Sequence, residues 1–325
     1  MTLPTARALD LAEQLAEAGI IDTHFHVGPE LLPRLYDVAD LAAAARAWNA
    51  TLVLKNHTYP TTPLAAHARR HEGVRFLGGT VLNRFVGGLS VDAVTSAVSG
   101  NRTNPGETAA EPPFVVWMPT VHAEAHLEAL GFAFDPRWGG CSACDAQVEE
   151  EGAEPETPVQ VFLQDGTPNP GLSAVLEAIA QAGARLATGH LSAAEIMRLV
   201  PMALETGVPA VLLTHPHYPS VNLSDEQLVS LTRDKRVFIE HCYAIHTIEE
   251  VPLERFVASI EATGTGQVIL STDFGQLSSA PFPECTVRFA RAIEALWPKR
   301  WGSDRLIELF TENPRRALGL DRQTR

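Results

Sequence analysis

Short apolar runs alternate with longer amphipathic ones along almost the whole chain. The run Ile20-Ile21-Asp22-Thr23-His24-Phe25-His26 reads as a buried strand. Before it, residues 4–18 read as an amphipathic helix with Leu9, Leu11 and Leu15 on its apolar side, stopped by Gly19. Helices are then expected over 38–48, 62–71 and 91–98, and strands over 51–54, 74–82 and 114–118. After an irregular stretch, the spacing predicts helices over 172–182, 193–205, 225–231, 253–262 and 286–296. Strands over 185–188, 210–213, 237–239 and 267–271 fall between them, and two short helices fill 304–320. Residues 159–164 read as an added strand outside the main sheet. Ser192-Ala193-Ala194-Glu195 is a capping box at the head of one helix.

Strands that alternate with helices imply parallel βαβ units. Their β-branched and Leu-rich composition suits strands covered on both faces. The simplest arrangement is a closed (β/α)8 barrel, with a doubly wound open sheet as the alternative. No Gly-rich phosphate loop follows the first strand, which counts against a dinucleotide fold. Residues 1–325 read as one barrel domain with insertions at 100–113 and 130–158. The second insertion follows strand four and is acidic, Pro- and Gly-rich; it holds Glu149-Glu150-Glu151, Cys141 and Cys144.

A hydrophobic fraction of 45% is enough for a full core, and 25 basic against 39 acidic residues leave a net charge of −14. That balance excludes nucleic acid and anionic membranes as expected partners. No signal-peptide pattern opens the chain and no apolar run reaches membrane-spanning length, so a cytoplasmic protein is expected. A homo-oligomer is compatible with all of this. Four cysteines do not make a disulfide framework. Cys141 and Cys144 have metal-like spacing but no second pair nearby, and Cys242 and Cys285 read as buried thiols.

Candidate chemistry collects at the ends of the strands, where a barrel carries its active site. Strand one ends in His24 and His26, two residues apart and so on one face. Strand two ends in Lys55 and His57, strand five in His190, and strand six in His215 and His217. Strand seven ends in Glu240-His241 and strand eight in Asp273. Neutral imidazoles with a carboxylate suit a divalent metal, zinc above all. Such an ion acidifies water, and Asp273 is placed to pass the proton onward. His217 and His241 are candidates for orienting ligands or substrate. His67 and His71 fall on a helix and read as surface residues, while His122 and His126 either border the site or lie on a surface helix. Arg34, Tyr36, Tyr59, Asn83 and Arg84 lie in loops that shape a pocket, and they suit a polar or anionic small-molecule substrate.

The ordered set Ile21-Asp22-Thr23-His24-Phe25-His26, Thr188-Gly189-His190, Leu213-Thr214-His215 and Ser271-Thr272-Asp273 resembles the amidohydrolase superfamily. The ending Glu312-Asn313-Pro314-Arg315-Arg316-Ala317-Leu318-Gly319-Leu320 is similar to that superfamily's as well. The resemblance implies a distorted barrel with one or two divalent metals. It makes His24, His26 and Asp273 ligands of the more buried ion. His190 and His215 would then bind a second ion; with one ion, His190 ligates and His215 polarises the substrate. Strand four ends in Trp117-Met118-Pro119-Thr120, without the bridging Lys or Glu of many two-metal relatives. Lys55 is therefore either a carboxylated bridge supplied by strand two or a cation that pairs with substrate or Asp273. The leading expectation is a metal-dependent hydrolase of amide, lactone, ester or phosphoester bonds. A metal-dependent decarboxylase is the alternative, and a non-catalytic metal-binding protein a further one.

Overall fold

The computed structural model describes residues 10–102, 111–131 and 156–320. Both insertions expected from the sequence fall largely outside the described residues, including Cys141 and Cys144, as does Leu9.

The strands are β1 Ile21–His26, β2 Thr51–Lys55, β3 Arg75–Leu77, β4 Gly79–Val81, β5 Val115–Trp117, β6 Arg185–Ala187, β7 Val211–Thr214, β8 Val237–Cys242 and β9 Val268–Ser271. They pair in parallel in the order β1-β2-β3 and β4-β5-β6-β7-β8-β9. β3 and β4 are two halves of one barrel strand, divided at Gly78, whose carbonyl still accepts from the Val115 N–H at 3.2 Å. The cylinder closes between its first and last strands: Asp273 N donates to His24 O at 2.9 Å and His26 N to Phe274 O at 2.7 Å. The closed barrel, not the open sheet, is therefore the architecture.

Every residue of β1, β2, β7, β8 and β9 is buried, as parallel strands with helices outside and side chains inside must be. The barrel interior is filled by Val53, Leu77, Trp117, Leu212, Phe238 and Ile269 among others, and Ala317 and Leu318 of the last helix pack against this cluster. Outside, each helix buries one stripe. Ile196, Leu199, Val200 and Ala203 of the helix Ala193–Thr206 show the helical spacing. The Ser192–Glu195 capping box begins that helix and Gly207, in the left-handed conformation, ends it.

One expectation needs correction, and one irregularity was not foreseen. Residues 159–164 form no strand; only isolated bridges occur there, Ala123 with Val159 and Phe162 with Pro168. In β1, Asp22 pairs with Leu52 and Phe25 with Leu54, so β1 carries one extra residue relative to β2. This bulge breaks simple alternation, and consecutive Thr23 and His24 both reach the Glu240 carboxylate. A periodicity argument has no means of detecting a single inserted residue.

Candidate metal centre

The site is built where β1 and β9 meet. Asp22, beside the bulge, accepts from Thr272 Oγ1 at 2.6 Å and from the Thr272 and His24 amides at 3.2 and 3.0 Å. It locks the end of β9 to β1 and thereby sets Asp273 against the two histidines. Asp273 Oδ1 lies 3.0 Å from His24 Nε2 and 2.9 Å from His26 Nε2. Lys55 Nζ approaches His24 Nε2 to 2.8 Å. Imidazole nitrogens and a carboxylate oxygen converging from two strands fit a divalent cation.

The other face of His24 is held from below. Its Nδ1 lies 3.3 Å from Glu240 Oε2, and the same carboxylate accepts from Thr23 Oγ1. Glu240 thus fixes the tautomer that leaves Nε2 free for a metal. Cys242 Sγ is 3.7 Å from the same Nδ1, so this thiol is buried as expected but under the centre. His26 Nδ1 and His215 Nδ1 are buried without a hydrogen-bond partner among the described residues.

His190 and His215 face the same cleft, which is also lined by Arg34, Lys55, His57, Tyr218 and Asp273. Their rings are 4.9 Å apart, and His215 lies 5.9 Å from His24, centre to centre. The turn into His190 needs Gly189, at φ +60°: a Cβ there would stand 2.4 Å from Met118 O and 2.5 Å from Pro119 O. His215 and Asp273 themselves have positive φ, +27° and +55°. Two non-glycine residues held in that region at one site mark a conformation imposed by the surrounding structure.

Burial governs the charge states. It pushes the imidazoles of His26, His57 and His190 well below their ordinary range, and that of His215 to about 3, so these rings are neutral donors. Burial alone would raise Asp273, but His24 and His26 outweigh it and hold the carboxyl well below the usual range. For His24, burial is likewise opposed, by Asp273 and Glu240, and the net shift is upward. Burial also lowers the Lys55 ammonium.

The expected strand-end residues His24, His26, Lys55, His57, His190, His215 and Asp273 thus meet in one place. His217 and His241 do not: their rings stack at 5.2 Å and His241 lies 4.9 Å from Phe256, in the layer between barrel and helices. His67 and His71 are exposed on the helix Thr62–Glu72, as expected. His126 is buried beside the site, its Nδ1 3.1 Å from His190 Nδ1 and 3.2 Å from Tyr218 OH. His122 instead meets Glu156 at 3.5 Å and the edge of Phe85. Of the five loop residues expected to shape the pocket, Arg34 lines the cleft. Asn83 acts one step back, donating to Thr120 Oγ1 at 3.0 Å, which contacts His57 Nδ1 at 3.0 Å. Tyr59 caps the Pro29 carbonyl, Tyr36 packs near Phe25, and Arg84 pairs with Glu156. Sequence reasoning gave no role to Glu240 or Tyr218; a carboxylate inside a buried strand was the available signal for Glu240.

Comparison with known proteins agrees with this architecture. The chain belongs to a family whose model, described as a family of unknown function (DUF6282), matches residues 19–240. Among curated proteins none matches the sequence. Among solved structures, a probable dipeptidase, PvdM, from Pseudomonas aeruginosa has a TM-score of 0.57 at 11% identity, covering 95% of this chain and 96% of that one. An amidohydrolase from Pseudomonas aeruginosa gives 0.55 at 11% identity, with 95% and 98% covered. An organophosphorus hydrolase from Deinococcus radiodurans gives 0.50 at 13% identity, with 94% of each chain covered. The likeness is one of fold: this chain has the barrel expected from the amidohydrolase resemblance. No helix among the described residues is long and apolar enough to cross a membrane.

Proposed function

We propose that this protein is a metal-dependent hydrolase of the amidohydrolase type, acting on an amide, lactone, ester or phosphoester bond. The observation that carries the reading is the convergence of His24 Nε2, His26 Nε2 and Asp273 Oδ1 at the C-terminal mouth of the barrel. These three residues would hold the more buried ion, with zinc favoured by two imidazoles and a carboxylate. When bound, the metal supplies Lewis acidity that polarises a substrate oxygen and makes water nucleophilic near neutral pH. His190 and His215 offer donors from the adjoining strand ends for a second ion. With one ion, His190 completes the ligand set and His215 polarises the scissile group.

Asp273 carries the proton chemistry. Its Oδ1 is engaged by both histidines, while Oδ2 has no hydrogen bond among the described residues. A carboxylate held ionised in this way takes the proton from the attacking water and delivers it to the leaving group. Glu240 keeps His24 in register. Lys55 has two roles open to it, a carbamate that bridges two ions or a cation that meets the substrate. Intact mass and density at Nζ separate them, because a carbamate adds one CO2 and brings a second metal.

The experiment is a metal count with element identification, followed by turnover on amide, lactone, ester and phosphoester panels. Hydrolysis lost in both His24→Ala and Asp273→Asn supports the reading. Release of CO2 from an aromatic or unsaturated acid would assign the decarboxylase instead. Bound metal without turnover on either panel would leave a metal-binding protein.

A further inference from the structure

The cleft contains a guanidinium for which the metal chemistry has no use. Arg34 lines it beside His26, Lys55 and Asp273, and its side chain is only 2% exposed. Arg34 Nε donates to Glu30, but among the described residues no hydrogen bond or ion pair reaches Nη1 or Nη2. A guanidinium cannot shed its charge, and Nη1 and Nη2 are not sealed in the interior but open onto the cleft. Charged donors that face the cleft and meet no acceptor among the described residues are available to an anionic group that enters it.

Arg34 is also held rigidly. Its backbone bridges Gln276, Leu35 N donates to Gly275 O at 2.8 Å, and Gln276 Nε2 donates to the carbonyl of Asp273 at 2.9 Å. Gly275 makes the approach possible: at φ +121°, its Cβ would stand 2.2 Å from His26 O. The loop after β1 and the loop after β9 are therefore one body that fixes Arg34 relative to Asp273. Glu30, 1% exposed in its side chain, accepts from the His57 amide as well and so sets the plane of the guanidinium.

We propose that Arg34 binds a carboxylate of the substrate end-on through Nη1 and Nη2, beside the metal centre. The planar fork matches two coplanar oxygens. Glu249 and Asp273 line the cleft together with the cations Arg34 and Lys55, and Glu30 pairs with Arg34. That balance favours the single charge of a carboxylate over the double charge of a phosphate monoester. The substrate class becomes an amide, lactone or ester that bears a free carboxylate. This deepens the hydrolase reading and rests on it.

The test uses metal-loaded protein and small probes. Acetate, its uncharged isostere acetamide, and inorganic phosphate are titrated while the Arg34 Nε–Hε resonance is followed, assigned by its loss in Arg34→Gln. Acetate is expected to give a saturable shift at least about ten-fold tighter than acetamide. In Arg34→Lys, acetate affinity measured by calorimetry should fall about ten-fold with metal content unchanged. Equal affinity for acetate and acetamide, no saturable shift with any probe, or full acetate affinity in Arg34→Lys would overturn the proposal. Phosphate tighter than acetate at this resonance would overturn the carboxylate assignment. The wild-type selectivity stands even if a variant fails to fold. Failure of the hydrolase reading would appear separately, in the metal count and the turnover panels.

Discussion

Glu240 and His24 face each other across the floor of the barrel, Oε2 to Nδ1 at 3.3 Å, although 216 residues separate them. The contact leaves Nε2 as the nitrogen that His24 can offer to a metal. A neutral imidazole with Nδ1–H directed at a carboxylate keeps its Nε2 lone pair for the ligand field.

Glu240→Gln is therefore expected to lower metal affinity about ten- to a hundred-fold, because the neutral amide holds the ring less firmly and polarises it less. Competition against a chelator of known affinity measures this. Unchanged affinity would show that His24 is oriented without Glu240.

Metal removal should destabilise the fold. An ion that binds only the folded chain adds about 2.7 kcal/mol at a hundred-fold excess over its Kd. Wild-type protein should melt at a lower temperature after chelation and recover on adding zinc. His24→Ala should lose that response. A melting temperature indifferent to chelator in a protein stripped of metal would contradict the ligand set.

Gly275→Ala tests the strap that joins the loops after β1 and β9. The new methyl would meet His26 O at 2.2 Å, and the backbone sits at φ +121°. A loss of about 2 kcal/mol or more is expected, together with weaker metal binding, because the displaced residues carry His26 and Asp273. Denaturant unfolding beside a metal titration reads both. A variant as stable as wild type would mean that the strap yields without strain.

Cys285 should resist alkylation in the folded protein. Burial, with the charge of Asp22 adding to it, pushes the thiol up to about 12. An unfolded-chain thiol is about half ionised near pH 8.5, so peptide mapping at that pH should find Cys285 labelled only in denaturant. The sign follows for stability: the unfolded state loses this proton first, so the thiol's contribution declines as pH rises above about 9. Equal labelling rates with and without denaturant would refute the burial argument.

The sequence by itself determined most of the elements and the roster of candidate site residues. Apolar runs of strand length separated by helical stripes required parallel units, and the capping box at Ser192 lies where local chemistry puts it. His24, His26, His190, His215 and Asp273 were legible because each ends an apolar run, and a barrel gathers all such ends on one face. Tertiary structure alone decided the rest. Closure depended on hydrogen bonds from Asp273 to His24 and from His26 to Phe274, between segments that start and finish the chain. The bulge in β1 is visible only against its partner β2, since register is a property of a pair. His217 and His241 end strands as His190 and His215 do, yet stack on each other beside Phe256 outside the barrel, because the local turn, not proximity in sequence, aims a side chain. Glu240, Tyr218 and His126 drew their roles from neighbours far away in sequence. Arg34 became more than a loop arginine only when folding packed its side chain against Glu30 and turned its two terminal nitrogens to the cleft.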